Sequence, residues 1–250
     1  MSVEAWSTTW LAVLLLAMMS VFTTLLGVAL AVWMGKDERL VSAGIGFSVG
    51  IMLLISFLEL IPEALSASGP PSALTAVFLG MLIVAVLHWI IPHTHLVEER
   101  GMLNPALLRS AYLVAFGLIL HDVPEGFAMA NAYVASPSLG VMVAVAIALH
   151  NIPEEFAMAV PIVAVRKQRL LYAAAFLSGL AEPLGALIGL AAVQVYPGLN
   201  PLFMAFAAGA MIFVSVHELL PMARRYGNIG LFITGGTASA FVYFALDALV

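Results

Sequence analysis

The sequence predicts an all-α integral membrane protein with eight transmembrane helices, and three observations support this fold class. Of the 250 residues, 63% are hydrophobic and only 9% are charged, which is far more apolar than a soluble domain. The apolar residues form runs of about 20, the length that a helix needs to cross roughly 30 Å of hydrocarbon. Only short polar segments separate these runs. We therefore expect a single transmembrane domain over residues 1–250.

The predicted helices follow from the apolar runs and from the Gly, Pro and polar residues that interrupt them. The first run follows a segment with Glu4 but no Lys or Arg, unlike a cleaved signal peptide, so we expect this helix to be retained. The eight predicted helices are Trp10–Met34, Ala43–Leu65, Leu74–Ile91, Ala106–Ala130, Leu139–Val165, Leu170–Val195, Leu202–Met222 and Ile229–Leu249.

The basic residues alternate between the predicted connections. Every Lys and Arg lies in or beside the first, third, fifth or seventh connection: Lys36, Arg39, Arg100, Arg109, Arg166, Lys167, Arg169, Arg224 and Arg225. Because Lys and Arg concentrate in cytoplasmic loops, this alternation predicts that both termini lie on the outer side. It also supports the count of eight, since one helix more or fewer would break the pattern.

Two internal similarities indicate inverted repeats. The segment His121-Asp-Val-Pro-Glu on the fourth predicted helix recurs as His150-Asn-Ile-Pro-Glu on the fifth, which runs the opposite way. Glu59-Leu-Ile-Pro on the second helix recurs more weakly as Glu218-Leu-Leu-Pro on the seventh. A two-fold axis in the membrane plane would relate helices 4 and 5, and also helices 1–3 and 6–8. Such repeats with broken helices at the centre are typical of transporters.

Acidic residues lie inside the predicted helices without basic partners. An ionised carboxylate at the bilayer centre costs about 2.5 to 3.5 kcal/mol, so several together would rival the roughly 5 to 15 kcal/mol that stabilises a typical fold. Protons, water or bound cations must compensate them, and cations also account for the neighbouring histidines. The acids are Glu59, Glu63, Asp122, Glu125, Glu154, Glu155, Glu182, Glu218 and Asp247, and the histidines are His88, His121, His150 and His217.

The repeated His-x-x-Pro-Glu motif places several metal donors on one face of each helix. Its imidazole and carboxylate are four residues apart and therefore share a helical face. The residue after the histidine, Asp122 or Asn151, lies three residues before the glutamate and shares that face too. Pro124 and Pro153 each remove a backbone donor and free the carbonyl four residues earlier, which bends the helix. Each helix thus offers three donors to one cavity.

This donor set indicates which metals could bind. Imidazole with carboxylate and amide oxygens suits zinc, iron(II), manganese and cobalt, and it disfavours copper(I). The chain has no Cys, which excludes thiolate sites, disulfides and iron–sulfur clusters. The donors suffice for one octahedral ion or for two adjacent ions that share Glu125 and Glu154, and the spacing leaves both arrangements open.

Six motifs occur in order along essentially the whole chain: Gly50-Ile-Met-Leu-Leu-Ile-Ser-Phe-Leu-Glu-Leu, Pro92-His-Thr-His, His121-x-x-Pro-Glu-Gly, Ala148-Leu-His-Asn-Ile-Pro-Glu, Ser178-Gly-Leu-Ala-Glu-Pro-Leu-Gly and Ser215-Val-His-Glu-Leu-Leu-Pro. In this order they resemble the ZIP family of divalent metal transporters, most closely its bacterial ZupT-like branch. The paired His-x-x-x-Glu motifs are the most specific part of this resemblance.

The resemblance implies an eight-helix fold with outward termini and a binuclear site between helices 4 and 5. It implies metal movement towards the cytoplasm, by an elevator-like shift of the metal-carrying helices against a stationary bundle. The implied ligands form two positions, the first with His121, Glu125, His150 and Glu154, and the second with Asp122, Asn151, the two shared glutamates and Glu182.

Two residues depart from the ZupT-like pattern. Asp122 stands where that branch has Asn, and Glu155 stands where it has Gly. Both departures add negative charge to the predicted site. Glu155 lies about 100° around the helix from Glu154, so we expect it behind the ligands rather than among them.

Other polar residues have more than one interpretation. Glu182 precedes a proline, so it is either a protonated carboxyl at a kink or a metal ligand, and we expect the ligand. His93 and His95 in the third connection either receive exiting metal or are ordinary loop residues. Glu63 and Asp247 are expected near the membrane surface, where water would solvate them.

Polar residues on the second and seventh helices are also ambiguous. Glu59, His217 and Glu218 either line a transport path or form hydrogen bonds between helices. For His88 we favour an ordinary hydrogen-bonded contact between helices.

The predicted function is transport of divalent transition-metal cations into the cytoplasm through the plasma membrane, with zinc, iron, manganese, cobalt and cadmium as candidates. The ion would be the substrate, and no cofactor is expected. The alternative is an intramembrane metal-dependent hydrolase, although its usual His-Glu-x-x-His motif does not occur. A passive channel or a proton-driven carrier of another solute is also left open. The expected partners are the metal ions and the lipid bilayer, not nucleic acid, and no motif demands or excludes a homodimer.

Overall fold

A computed structural model describes residues 3–34, 37–90, 121–163 and 168–249. These residues are almost entirely helical, and no strand occurs among them. Seven spans within the described residues are long and apolar enough to cross a membrane: Glu4–Met34, Glu38–Ser68, Pro70–Ile90, Pro137–Val160, Leu171–Val195, Pro197–Tyr226 and Ile229–Asp247. The prediction of an all-α membrane protein is therefore confirmed.

The predicted fourth helix, Ala106–Ala130, lies mostly outside the described residues, which show a helix over 121–135. We name this helix α5. The other helices are α1 (Val3–Met34), α2 (Glu38–Leu54), α3 (Ile61–Ser68), α4 (Pro70–Ile90), α6 (Pro137–Val163), α7 (Gln168–Gly179), α8 (Ala181–Val195), α9 (Asn200–Val214), α10 (Leu220–Tyr226) and α11 (Ile229–Asp247).

Several helix ends differ from the prediction because local hydrogen bonds extend or interrupt the helix. The second span begins at Glu38 rather than at Ala43, since the Asp37 side chain accepts hydrogen bonds from two backbone N–H groups and caps α2. Only Ser136 separates α5 from α6. The predicted helix Leu170–Val195 is interrupted at Leu180, because the backbone nitrogen of Pro183 has no hydrogen to donate to the preceding turn.

A π-helical turn precedes a proline in two spans. Ile55–Leu60 joins α2 to α3, and Ser215–Leu219 joins α9 to α10. The N–H of the residue after each turn donates to a carbonyl five residues earlier, and the proline that comes next cannot donate at all. Each turn ends with the Glu-Leu of a Glu-Leu-x-Pro segment from the weaker sequence similarity, so both copies adopt the same local structure.

The helices pack as two groups. In the first group, α1 packs against α6, α7 and α8, and α5 packs against α8. In the second group, α2 packs against α10 and α11, and α4 packs against α3 and α9. The groups meet where α2 contacts α6 and where aromatic rings of α5 and α9 touch. The two His-x-x-Pro-Glu motifs both lie in the first group.

Glycines permit the closest helix contacts. A Cβ on Gly126 of α5 would overlap the backbone carbonyl of Glu182 on α8, and a Cβ on Gly185 of α8 would overlap the carbonyl of Val123 on α5. The same reciprocal use of glycines joins α2 to α11 and α4 to α9. Small residues that let backbones approach are a common basis of helix association in membranes, and here they bring Glu182 next to the first His-x-x-Pro-Glu motif.

Candidate metal centre

The hairpin of α5 and α6 makes the two His-x-x-Pro-Glu motifs face each other, and each histidine contacts the glutamate of the other motif. Nε2 of His121 lies 2.6 Å from Oε1 of Glu154. Nε2 of His150 lies 3.1 Å from Oε1 of Glu125 and 3.8 Å from Oε2 of Glu154. Residues that the sequence spacing placed on one face of each helix therefore meet across the helix interface.

Three of these side chains have the geometry of a metal site. Ligand atoms of Glu125, His150 and Glu154 all lie within 4.8 Å of one another. Their exposed fractions are 0%, 0% and 2%, so water from the surface does not solvate the carboxylates. Among the described residues, this cluster could therefore hold a divalent cation through imidazole and carboxylate ligands.

Unpartnered polar atoms at this cluster also favour a cation. Oε2 of Glu125, both carboxylate oxygens of Glu154 and Nδ1 of His121 are buried without a hydrogen-bond partner. Oε1 of Glu154 has only the close contact with Nε2 of His121 described above. Buried polar atoms without partners are costly, and a bound cation would satisfy the three carboxylate oxygens. The residues present thus fit a metal ion as substrate.

The remaining predicted ligands form a second hydrogen-bonded set beside the first. The Asn151 amide donates to Oγ of Ser20 at 2.7 Å and to Oε2 of Glu182 at 3.3 Å. Oγ of Ser178 donates to Oδ2 of Asp122 at 2.6 Å. All five side chains are buried. The three predicted residues of this set therefore lie in the same buried region as the histidines and glutamates.

Two serines of this set are not indicated by any sequence pattern. Ser20 lies on α1 and Ser178 on α7, and each is a small polar residue in a largely apolar helix. Such serines usually bond to a carbonyl of their own helix, so their type alone gives no signal. Only the contacts with Asn151 and Asp122 show that they orient candidate ligands.

Backbone contacts fix the orientation of His150. Its Nδ1 lies 3.0 Å from the carbonyl oxygen of Ala146. Because a carbonyl can only accept a hydrogen bond, Nδ1 carries the proton and Nε2 is directed towards Glu125. A hydrogen bond of this kind on the second ring nitrogen is common for histidines that bind metals, and it holds the ring in place.

Glu155, which the sequence predicts to lie behind the candidate ligands, is buried. It packs against α1, where a Cβ on Gly27 would lie 2.8 Å from the Cβ of Glu155. The absence of a side chain at Gly27 thus leaves room for the Cβ of residue 155.

The ambiguous polar residues of the second and seventh predicted helices, and His88, make contacts within the second helix group. The Tyr243 hydroxyl donates a short hydrogen bond to Oε1 of Glu59. Nδ1 of His88 lies 2.9 Å from Oε1 of Glu218, and the rings of His88 and His217 are 4.9 Å apart. These contacts agree with hydrogen bonding between helices, the alternative given for this set and the interpretation favoured for His88.

Other predicted residues lie at the surface or outside the described part of the chain. Glu63 and Asp247 are exposed, as expected. His93 and His95 fall within residues 91–120, which the structure does not describe.

Comparison with known proteins identifies the family. The model of the ZIP zinc transporter family matches residues 92–244. The chain is 39% identical to the zinc transporter ZupT of Corynebacterium aurimucosum over 233 residues, which cover 85% of this chain and 87% of that protein. It is 37% identical to ZupT of Chlorobium luteolum, with 90% and 92% covered, and 35% identical to ZupT of Nitratidesulfovibrio vulgaris, with 80% and 82% covered. The chain therefore belongs to the ZIP zinc transporter family.

Proposed function

We propose that the protein is a multi-pass plasma-membrane transporter that carries zinc, and with it other divalent transition metals, into the cytoplasm. The observation that carries this proposal is the buried cluster of Glu125, His150 and Glu154, whose carboxylate oxygens are largely without partners. The names of the relatives support zinc as the substrate. Iron, manganese, cobalt and cadmium are further substrates that this donor set would accept.

Family membership makes the protein a transporter and not an enzyme. The intramembrane hydrolase considered from the sequence is therefore set aside. The metal ion is the substrate, and the transport function requires no cofactor.

The proposed binding site holds two ions. His121, Glu125, His150 and Glu154 form the first position, and Asp122, Asn151 and Glu182 form the second together with the two glutamates. This division is supported by the two sets of contacts: the histidines pair with the glutamates of the opposite motif, whereas Asn151 is hydrogen-bonded to Glu182. Glu155, Glu59, His217, Glu218, His93 and His95 are proposed only as residues along the path.

An elevator-type movement is the proposed mechanism. All seven ligands lie on α5, α6 and α8, which belong to the first helix group. A shift of this group along the second would carry the ions together with their ligands, so the coordination would not have to be rebuilt during transport. The homodimer that the sequence leaves open would then be formed by the second group, which stays fixed.

The proposed direction rests on the positions of the basic residues. Arg39, Arg224 and Arg225 are exposed at the end of the bundle where α2 begins and α10 ends. By the positive-inside rule this end faces the cytoplasm. Both termini would then lie on the outer side, and the whole chain would form one transmembrane domain.

Zinc uptake into liposomes with purified protein would test the transport function. We expect saturable uptake by the wild type, competition by iron(II), manganese and cadmium, and loss of uptake in Glu125→Ala and Glu154→Ala. Asp247→Ala, which removes an exposed acid outside the cluster, should transport normally. The proposal would be wrong if folded wild-type protein bound zinc but took up none under several pH gradients.

A further inference from the structure

A cavity of about 380 Å³ lies at the end of the helix bundle opposite the exposed arginines. Its position follows from the second span, which has Arg39 near its start and the cavity residue Glu63 near its end. Its wall includes α1, α5 and α8 of the first helix group and α3 and α9 of the second. The cavity therefore lies at the boundary between the two groups.

The polar lining of this cavity suits a cation. Glu63 contributes a carboxylate, and Gln194 and Asn200 contribute side-chain amides. No Lys, Arg or His belongs to the described residues of the wall. Oxygen donors of this kind are preferred by cations that keep part of their water shell.

Two buried amide oxygens at the cavity have no hydrogen-bond partner. Asn200 lines the cavity and is 8% exposed, and Asn131 behind it is 0% exposed. The Asn200 amide nitrogen donates to the backbone carbonyl of Asn131 at 3.2 Å, and the Asn131 amide nitrogen donates to the carbonyl of Phe127 at 2.7 Å. Because both nitrogens face carbonyls, both Oδ1 atoms face away from these bonds and remain unpartnered. Such acceptors require a donor or a cation.

These amides lie between the cavity and the metal centre. Asn131 and Glu125 are six residues apart on α5, which corresponds to about 9 Å of helix rise. The ring of Phe127 lies between them along the helix and packs against Phe203 and Phe206 of α9, with centroid distances of 5.6 and 6.2 Å. Cavity, amide pair, aromatic contact and metal centre thus follow one another along α5.

The cavity is large enough for a hydrated ion. Six waters occupy about 180 Å³ at roughly 30 Å³ each, less than half of the 380 Å³ present. The volume is therefore sufficient for a divalent cation with its first water shell.

We propose that this cavity is a capture site for hydrated divalent cations on the way to the buried centre. Glu63 attracts the ion, and the amide oxygens of Gln194 and Asn200 replace part of its water before it moves on towards the buried centre. This inference rests on the proposed transport function.

The test measures initial rates of zinc uptake into proteoliposomes at a series of zinc concentrations, together with equilibrium zinc binding in detergent. For Glu63→Gln and Asn200→Ala we expect KM to rise about threefold to fivefold, with kcat and equilibrium binding unchanged, because a capture site affects arrival of the ion. The effect of Glu63→Gln should shrink at high ionic strength, since salt screens an exposed charge. Asn200→Asp, which keeps an oxygen at this position, should not raise KM.

The control is Asp247→Asn, which removes an exposed acid that does not line the cavity. Unchanged KM in both Glu63→Gln and Asn200→Ala, with normal wild-type uptake, would overturn the capture site. So would an equal rise in KM in Asp247→Asn, since the effect would then come from surface charge in general. If wild-type protein did not transport at all, the proposed function itself would be wrong.

Discussion

The buried hydroxyl of Ser48 donates a hydrogen bond of 3.0 Å to the backbone carbonyl of His150. Ser48 lies on α2 of the second helix group, and His150 is a candidate ligand on α6 of the first. The bond therefore connects the proposed stationary helices to the proposed moving ones. In the proposed elevator-type movement this bond would have to break.

Replacement of Ser48 by Ala should accelerate transport. A neutral hydrogen bond contributes about 1 kcal/mol, so its loss should raise kcat for zinc uptake up to about fivefold if movement of the helix group limits the rate. Zinc affinity at equilibrium should not change, because Ser48 contacts only the backbone of His150. The measurement compares uptake kinetics with equilibrium zinc binding.

A matched control for this experiment is Ser56→Ala. Ser56 is equally buried in the same span, but its hydroxyl bonds the Met52 carbonyl of its own span at 2.7 Å. It should leave kcat unchanged. Equal acceleration in both variants, or a change of affinity in Ser48→Ala alone, would contradict a role in joining the two groups.

Zinc should stabilise the protein through the cross-paired glutamates. At a free zinc concentration of 100 times Kd, binding to the native state alone adds about 2.7 kcal/mol to the free energy of unfolding. Glu125→Gln and Glu154→Gln each remove a ligand and should abolish most of this increase at the same concentration. Thermal unfolding in detergent with and without zinc measures it.

The comparison variant here is Asp247→Asn, which removes an exposed acid that lies neither among the buried ligands nor in the cavity. It should retain the full stabilisation by zinc. Stabilisation that persisted in both Glu125→Gln and Glu154→Gln would show that zinc binds elsewhere in the chain.

Gly126→Ala should separate α5 from α8. A Cβ at this position would overlap the backbone carbonyl of Glu182, and a backbone atom cannot rotate away as a side chain can. We expect a loss of about 1 to 3 kcal/mol in the free energy of unfolding and weaker zinc binding, since Glu182 would move from Asn151. Unfolding and zinc titrations in detergent measure both effects.

Gly230→Ala is the control for this substitution. It lies near the start of α11, where the nearest atom to an added Cβ is Oδ1 of Asn228 at 3.8 Å. Its stability should equal that of the wild type or exceed it slightly, because Ala favours the helix over Gly. A similar loss in both variants would mean that the effect arises from helix propensity and not from the contact with Glu182.

The sequence predicted the membrane fold and the members of the candidate site better than it predicted their pairing. Apolar runs long enough to cross a membrane are sufficient to predict transmembrane helices. A spacing of four residues is sufficient to predict that His121 and Glu125 share one helical face. Which glutamate each histidine contacts depends on the register of the α5–α6 hairpin. That register follows from a connection of one residue, Ser136, where the sequence predicted a longer loop.

The sequence also could not predict which interactions the small residues make with other helices. Ser20, Ser48 and Ser178 resemble any serine in an apolar helix until a partner on another helix is known. The sequence also could not distinguish the π-helical turns before the prolines from α-helix, because a proline can kink an α-helix without a π-helical turn. Likewise, the roles of the glycines opposite Glu182 and Glu155 in helix packing become visible only when the backbones that they contact are known.

Asp122 and Ser178 should act as a unit in zinc binding. The Ser178 hydroxyl donates to the Asp122 carboxylate at 2.6 Å, and a hydrogen bond to a charged group contributes about 1.5 to 3 kcal/mol. Ser178→Ala should therefore weaken zinc binding about tenfold, because the carboxylate loses the contact that orients it. In an Asp122→Asn background, which carries the residue of the ZupT-like pattern, the same change should cost much less. Zinc titration of the two single variants and the double variant gives the coupling energy. Residues in contact usually show a coupling energy of about 0.5 to 3 kcal/mol, so a coupling of 0.5 kcal/mol or more would support the orienting contact. Additive losses would show that Ser178 affects the site without acting through Asp122.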